Sequence, residues 1–380
     1  MNKHLDLLVK PLKNKSIVWF KNSNTYVLVA HETAQIIKHY FKDPSQLHLS
    51  NWITERFNLS KKDAEILLKS VLGLIKKLNV SKNNTIEKDL IIKASVEPKA
   101  IKYYNINNTF FKVSFQTESL SFLIHSKFEH LEATATPNYH HHFEVFLKED
   151  KITLNVNGNF VGSWSKDETH YFQGKFSMKL VEKLYNKSES DWLGVFHASA
   201  ISDGHQNILF LGDSGNGKST LAALLVSQGY TLFADDFVPV EAKTQHVYYF
   251  PAAISIKEKA VETLSRLFPQ LKDTPQIDLK YINKSVRYLV APKLEATVET
   301  HLLCKKLVFV KYQKGTDLKL SKLNSEDAFE QLIPDSWLSP LSKNAQLFLD
   351  WFATLTCYSL TYSNNESMYE CVKKLYKDDL

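Results

Sequence analysis

The stretch "NILFLGDSGNGKST", Asn207 to Thr220, restricts the possible folds of this chain more than any other. An apolar run, Ile208 to Leu211, stops at Gly212. Two more glycines follow at 215 and 217, and then the apolar run "LAALLV" ends before Gly229. A second β-type run, "YTLFADD", closes the unit. Strand, glycine loop, helix and strand in that order make a βαβ unit, which needs an α/β architecture with parallel strands. Gly212 to Ser219 fits GxxxxGK[ST] at every fixed position, with a strand before it and a helix after it. Glycines let backbone N–H groups converge on phosphate oxygens, and the helix N-terminus adds partial positive charge. Gly212, Asp213, Ser214, Gly215, Asn216, Gly217, Lys218, Ser219 and Thr220 are therefore expected to bind the nucleotide. Lys218 should reach the β and γ phosphates, and the Ser219 hydroxyl should ligate Mg²⁺. ATP and Mg²⁺ are the expected cofactors.

Asp235 and Asp236 end the following strand. One carboxylate there would hold Mg²⁺ while water attacks. A second could take a proton from an incoming hydroxyl, which distinguishes a kinase from an ATPase. His197 lies in "GVFHASAI", expected as a strand entering the site. A single histidine on an apolar strand is more often a core residue than a catalytic one.

Together, His197, the loop and "FADD" resemble the HPr kinase/phosphorylase family, whose core also resembles the ATP-dependent PEP carboxykinases. Ser219 follows His197 by 22 positions and precedes Asp236 by 17, spacings similar to that family's. The motif match covers about 45 residues, and a weaker topological likeness covers about 170–380. The resemblance implies that Asp236 is the general base and that His197 pairs with it. It further implies that Lys218 stabilises the transferred phosphoryl group and that Asp235 lies near the metal. It also implies an arginine contact to the phosphates, for which Arg287 in "NKSVRYLVAP" is the first candidate and Lys257 the second. The sequence departs from the family in reading "KST" where "KSE" is usual, and in lacking a recognisable late glutamate-rich segment. Phosphorylase activity is therefore not inferred.

Residues 1–80 read as a separate winged-helix-like α+β unit. "SIVWFKNSNTYVLVA" suggests two strands around a turn, and "HETAQIIKHYF" a helix with Ala34, Ile37 and Phe41 on one face. A second helix is "LSNWITERFN". Ser60 caps a third, with Asp63 at its third position and an apolar set of Ile66, Leu67, Val71, Leu74, Ile75 and Leu78. The unit resembles PqqD-like proteins, which recognise the leaders of ribosomally made precursor peptides. That resemblance implies a leader peptide added as a strand to the hairpin edge. "VSKNNTIEKD" reads as a linker.

Residues 90–165 read as a β-rich segment, with strands at "TFFKVSFQ", "LSFLIHS", "HHFEVFLKE", "KITLNVNG" and "NFVGSWS". Residues 166–380 would be the kinase domain, entered through a helix at 168–187. His140 and His142 share one strand face, but no third ligand stands near them to complete a zinc site.

The net charge of +6 is too small to indicate nucleic acid, and the lysine runs do not interleave with an aromatic platform. No apolar run of about 18 residues suggests a membrane span. The three cysteines form no paired framework, so a reducing, cytoplasmic setting is expected.

The sequence thus points to an α/β P-loop kinase core preceded by a β-rich segment and a peptide-recognition unit. Its acceptor would be a Ser or Thr hydroxyl of a peptide or protein. A homo-oligomer is possible. A small-molecule hydroxyl kinase and a non-catalytic nucleotide-dependent regulatory protein are the alternatives.

Overall fold

The computed structural model describes residues 7–81, 97–279, 284–294 and 298–379. It is a mixed α/β structure with four sheets.

The first sheet holds β1 (Leu7–Pro11), β2 (Ser16–Phe20) and β3 (Thr25–Val29), followed by α1 (His31–Lys42), α2 (Gln46–Phe57) and α3 (Lys61–Leu78). Two strands were expected. The additional one, β1, pairs antiparallel with β2 and ends at Pro11, where the missing N–H costs nothing. Every residue of the central strand β2 is buried. Val18 and Phe20 pack with the three helices, while Ile17 and Trp19 join the main core on the other face. Ser60 caps α3 by accepting the Asp63 amide. The buried stripe of α3 is Ala64, Leu68, Val71 and Ile75. Of the expected set, Ile66 is instead exposed, and Leu67, Leu74 and Leu78 are half-buried.

The second sheet has the order β4 (Ala100–Ile106), β5 (Thr109–Phe115), β6 (His141–Lys148), β7 (Lys151–Val156), β8 (Asn159–Trp164). Between β5 and β6 lie α4 (Glu118–Phe122) and α5 (His125–Phe128). They replace the strand expected at "LSFLIHS". Thr117 starts the turn by accepting the Leu120 amide, so local capping overrides the β-type composition. Asn157 and Gly158 turn between β7 and β8 with φ of 52° and 78°, as a type I′ hairpin requires. Helix α6 (Thr169–Leu184) covers this sheet, with Phe176 5.0 Å from Phe143 between ring centroids.

The remaining chain runs β9 (Trp192–Phe196), β10 (Ser199–Ser202), β11 (Asn207–Leu211), α7 (Lys218–Ser227), β12 (Thr231–Asp235), β13 (Val238–Glu241) and β14 (His246–Tyr248). Next come β15 (Ile254–Lys257), α8 (Glu258–Leu264), β16 (Ile277–Leu279), β17 (Lys284–Leu289), β18 (His301–Tyr312), β19 (Lys319–Lys322) and α9 (Ser325–Leu332). It ends with β20 (Ser336–Leu338), α10 (Ser342–Thr354), β21 (Thr356–Tyr362) and α11 (Asn365–Lys377). The large sheet is held together by β18. Its first residues pair with β14, which leads on to β13, β9 and the edge strand β20. From Cys304 onward it runs parallel with β11 on one side and β21 on the other. Strand β10 lies antiparallel between β11 and β12, so the two strands of the βαβ unit are not direct neighbours. Leu221 to Val226 of α7 are all buried, because the helix lies between this sheet and the small sheet β15-β17-β16.

The first unit is docked on α9, α10 and β20. Lys10 pairs with Asp350 at 2.7 Å, and the Asn14 amide donates to Glu326 at 2.7 Å. Asn24 Nδ2 donates to the Leu338 carbonyl at 2.8 Å. The Tyr26 ring meets Phe348 edge-on at 5.3 Å. No described helix is long and apolar enough to cross a membrane.

Candidate active site

Strand β11 delivers the chain into a loop that needs glycine at three positions. Gly212, Gly215 and Gly217 have φ of 138°, 102° and 95°. A Cβ on Gly212 would also sit 2.6 Å from the Val310 carbonyl. The Asn216 carbonyl accepts the Tyr312 amide, which ties the loop to the end of β18. Gly217 caps α7, and Thr220 is half-buried in the first turn. Lys218 folds back so that Nζ donates to the Gly212 carbonyl at 2.5 Å. Burial holds its ammonium pKa below the usual range, opposed by the nearby charges of Asp236, Asp235, Asp335 and Asp213.

The two adjacent aspartates have opposite surroundings. Asp235 pairs across the sheet with Ser199, just past a register shift in which β12 bulges. Ser199 Oγ donates to Asp235 Oδ1 at 2.5 Å, and both residues are buried. Asp235 Oδ2 is buried with no hydrogen-bond partner. Burial and the neighbouring Asp236 push the Asp235 pKa up to about 7, against the hydroxyls of Ser199 and Ser219 and the charge of Lys218. An unpartnered buried carboxylate oxygen near the Ser219 hydroxyl fits a divalent cation. Among the described residues no group of three or more His, Cys, Asp or Glu converges as a metal site. A cation here would therefore take its other ligands from phosphate and water, as Mg²⁺ does.

Asp236 lies one residue beyond β12 with φ of 63°, a conformation that aspartate tolerates. Its amide donates to the Ala198 carbonyl. The carboxylate is 35% exposed, with Oδ1 3.7 Å from His197 Nδ1, an ion-pair separation rather than a hydrogen bond. His197 is not within a strand as expected. It lies in the bend between β9 and β10, and its amide donates to the Asp335 carbonyl. A small cavity beside it is lined by Gly212, Asp213, Gln331, Asp335 and Ser336.

The structure thus brings together Lys218, Ser219, Asp235, Asp236 and His197. It does not bring Arg287 to them. The Arg287 guanidinium donates to the carbonyls of Lys272 and Thr274 and lies 3.6 Å from Glu258, so it anchors a loop. The second candidate reaches the glycine loop instead: Lys257 Nζ donates to Ser214 Oγ at 3.1 Å. Ser199 and Asp335 were not singled out in the sequence. Ser199, two residues after His197, was within reach of sequence reasoning; Asp335, far downstream of both, carried no signal. His140 and His142 use ring nitrogens in hydrogen bonds to the Phe110 amide and the Ser114 hydroxyl.

No protein-family model matches this chain, and no curated protein matches it. Among solved structures, the chain is similar to the HPr(Ser) kinase/phosphatase from Coxiella burnetii, at 11% sequence identity and a TM-score of 0.23. The match covers 48% of this chain and 94% of that one.

Proposed function

We propose that this chain is an ATP-dependent kinase that transfers the γ-phosphate to a Ser or Thr hydroxyl of a peptide or protein. The observation that carries this reading is the split between Asp235 and Asp236. A buried carboxylate with one unpartnered oxygen suits a metal, and a neighbour turned outward beside a histidine suits a substrate proton. The motif spacing, similar to that of HPr kinases, supports the same reading.

In this mechanism the hydroxyl oxygen attacks the γ phosphorus, its bond to the bridging oxygen breaks, and ADP leaves. Asp236 Oδ1 takes the hydroxyl proton, and His197 holds that carboxylate in position. Lys218 and the loop amides neutralise charge on the phosphoryl oxygens. Mg²⁺, held by Asp235 and Ser219, would supply further charge neutralisation.

The acceptor would be a precursor peptide whose leader binds residues 1–80. Strand β3 is an edge of its sheet. Beside it lies a groove of about 480 Å³, lined by Val29, Ala30, Thr33, Leu67, Val71 and Leu74. An extended leader could add to β3 as a fourth strand and place apolar side chains against α3.

The test is transfer of label from γ-labelled ATP, with Mg²⁺, to synthetic peptides that carry Ser and Thr residues behind an extended apolar leader segment. Label on a Ser or Thr hydroxyl, reduced when the leader is scrambled, is the expected result. Tight ATP binding with label only on small alcohols would make this a small-molecule kinase, and ATP binding without turnover would make it a regulatory binding protein. Lys257→Ala is expected to weaken ATP binding by about tenfold, in line with one charge-assisted hydrogen bond. Arg287→Ala should leave ATP affinity unchanged and destabilise the fold by about 1–3 kcal/mol. Calorimetric titration and thermal unfolding of both variants check this pair.

A further inference from the structure

We propose that residues 7–29 are a structural part of the active site, and that they hold its acceptor-side wall in place. This inference rests on the reading of the cleft around Asp236 and His197 as the acceptor side. The wall is α9, the turn after it and β20, which contribute Gln331, Asp335 and Ser336 to the cavity beside His197. Its inner side is attached to the sheet. β20 pairs with β9, and the Asp335 carbonyl accepts the His197 amide. At Gly194 the approach is so close that a Cβ would lie 2.7 Å from the Trp337 carbonyl.

The outer side of this wall is held by the N-terminal unit. Strand β20 is the edge of the large sheet, and Asn24, in the turn between β2 and β3, donates to its Leu338 carbonyl. Asn24 is itself fixed by accepting the Trp19 indole N–H at 2.8 Å. On α9, Glu326 is only 5% exposed and accepts the Asn14 amide. The Tyr26 ring packs against Phe329 of α9 and Phe348 of α10, and Phe348 in turn stacks on Phe196, next to His197. Both ends of the wall are therefore held by side chains of a different unit. Tyr26 lies on β3, the strand that borders the groove described above.

Tyr26 provides its own control. Its hydroxyl is buried without a hydrogen-bond partner, so Tyr26→Phe removes a group that contributes nothing, while Tyr26→Ala removes the ring. The experiment is amide hydrogen exchange on the full chain, together with steady-state kinetics on the acceptor peptide. In Tyr26→Ala, exchange at 331–338 and at His197 is expected to accelerate by about tenfold or more, with the loop 212–220 unchanged. Tyr26→Phe should match the wild type. The kcat of Tyr26→Ala should fall by about 10- to 100-fold, as misplacement of a positioning group does, while KM for ATP stays the same. Wild-type exchange at 331–338 in Tyr26→Ala would overturn the proposal, as would loosening that includes the loop. If Tyr26→Ala does not fold, Asn24→Gly replaces it, since glycine accepts the φ of 50° at that position. The exchange measurement needs no acceptor, so it decides this proposal even if no peptide is phosphorylated.

Discussion

Asp236→Asn is expected to lower phosphoryl transfer by about 10²- to 10⁴-fold, the usual value of a positioned general base. The substitution keeps the shape of the side chain and removes its capacity to take a proton. Asparagine also tolerates the left-handed backbone found at this position, so the fold should be unaffected. ATP affinity should not fall, because the substitution only removes a negative charge near Lys218. Single-turnover transfer at saturating ATP, with ATP binding measured separately, separates the two effects. A variant that transfers phosphate at the wild-type rate would remove Asp236 from the base role.

Asp235→Asn should give the opposite combination, a more stable protein that has lost its magnesium-dependent nucleotide binding. Burial raises the Asp235 pKa from its ordinary 3.8 to about 7. Well below pH 3.8 the carboxyl is protonated in both folded and unfolded chains and costs nothing. As the pH rises towards 7 the unfolded chain gives up its proton more readily, so the folded state loses stability. Each pKa unit corresponds to about 1.4 kcal/mol, so the ceiling on this loss is about 4 kcal/mol. Asparagine cannot ionise, and its side-chain oxygen can still accept the Ser199 hydroxyl. Without nucleotide or magnesium, the variant should therefore unfold at a higher temperature than the wild type at about pH 8 and at the same temperature at about pH 3. Titration with Mg²⁺ and ATP should show binding weakened by at least about 100-fold, as expected when a metal-ligating carboxylate is removed. Equal or lower stability at pH 8 would show that the buried carboxyl is compensated in the folded protein.

The glycine loop was legible because its signal is local: Gly212, Gly215 and Gly217 all have positive φ, a demand that each places on its own backbone. The aspartate pair was legible as two adjacent carboxylates at a strand end, but the difference in their surroundings was not. That difference arises from the bulge in β12, from Ser199 on a strand that intervenes by topology, and from a left-handed residue just after the strand. Arg287 and Lys257 show the same limit. Lys257 lies at the junction of β15 and α8, and which of the two cations reaches the loop depends on how the small sheet packs against α7. Leu7–Pro11 was missed as a strand because Leu7, Leu8 and Val9 make too short an apolar run to show a period, and its partial burial comes from β2, α1 and α10. "LSFLIHS" was misread because β-branched and aromatic residues also suit short buried helices when a cap such as Thr117 starts them.

The position of β10 has a consequence for redesign. Adjacent strands are about 4.8 Å apart, so one intervening strand sets the loop strand and the aspartate strand about 10 Å apart. That opening is a lattice spacing, and the ladder hydrogen bonds along both edges of β10 maintain it. Loop substitutions cannot widen it gradually, because the sheet allows only whole-strand steps. Engineering for bulkier acceptors would therefore have to act on the wall around Asp335, which loops and side chains can reshape, and leave the spacing of the strands as it is.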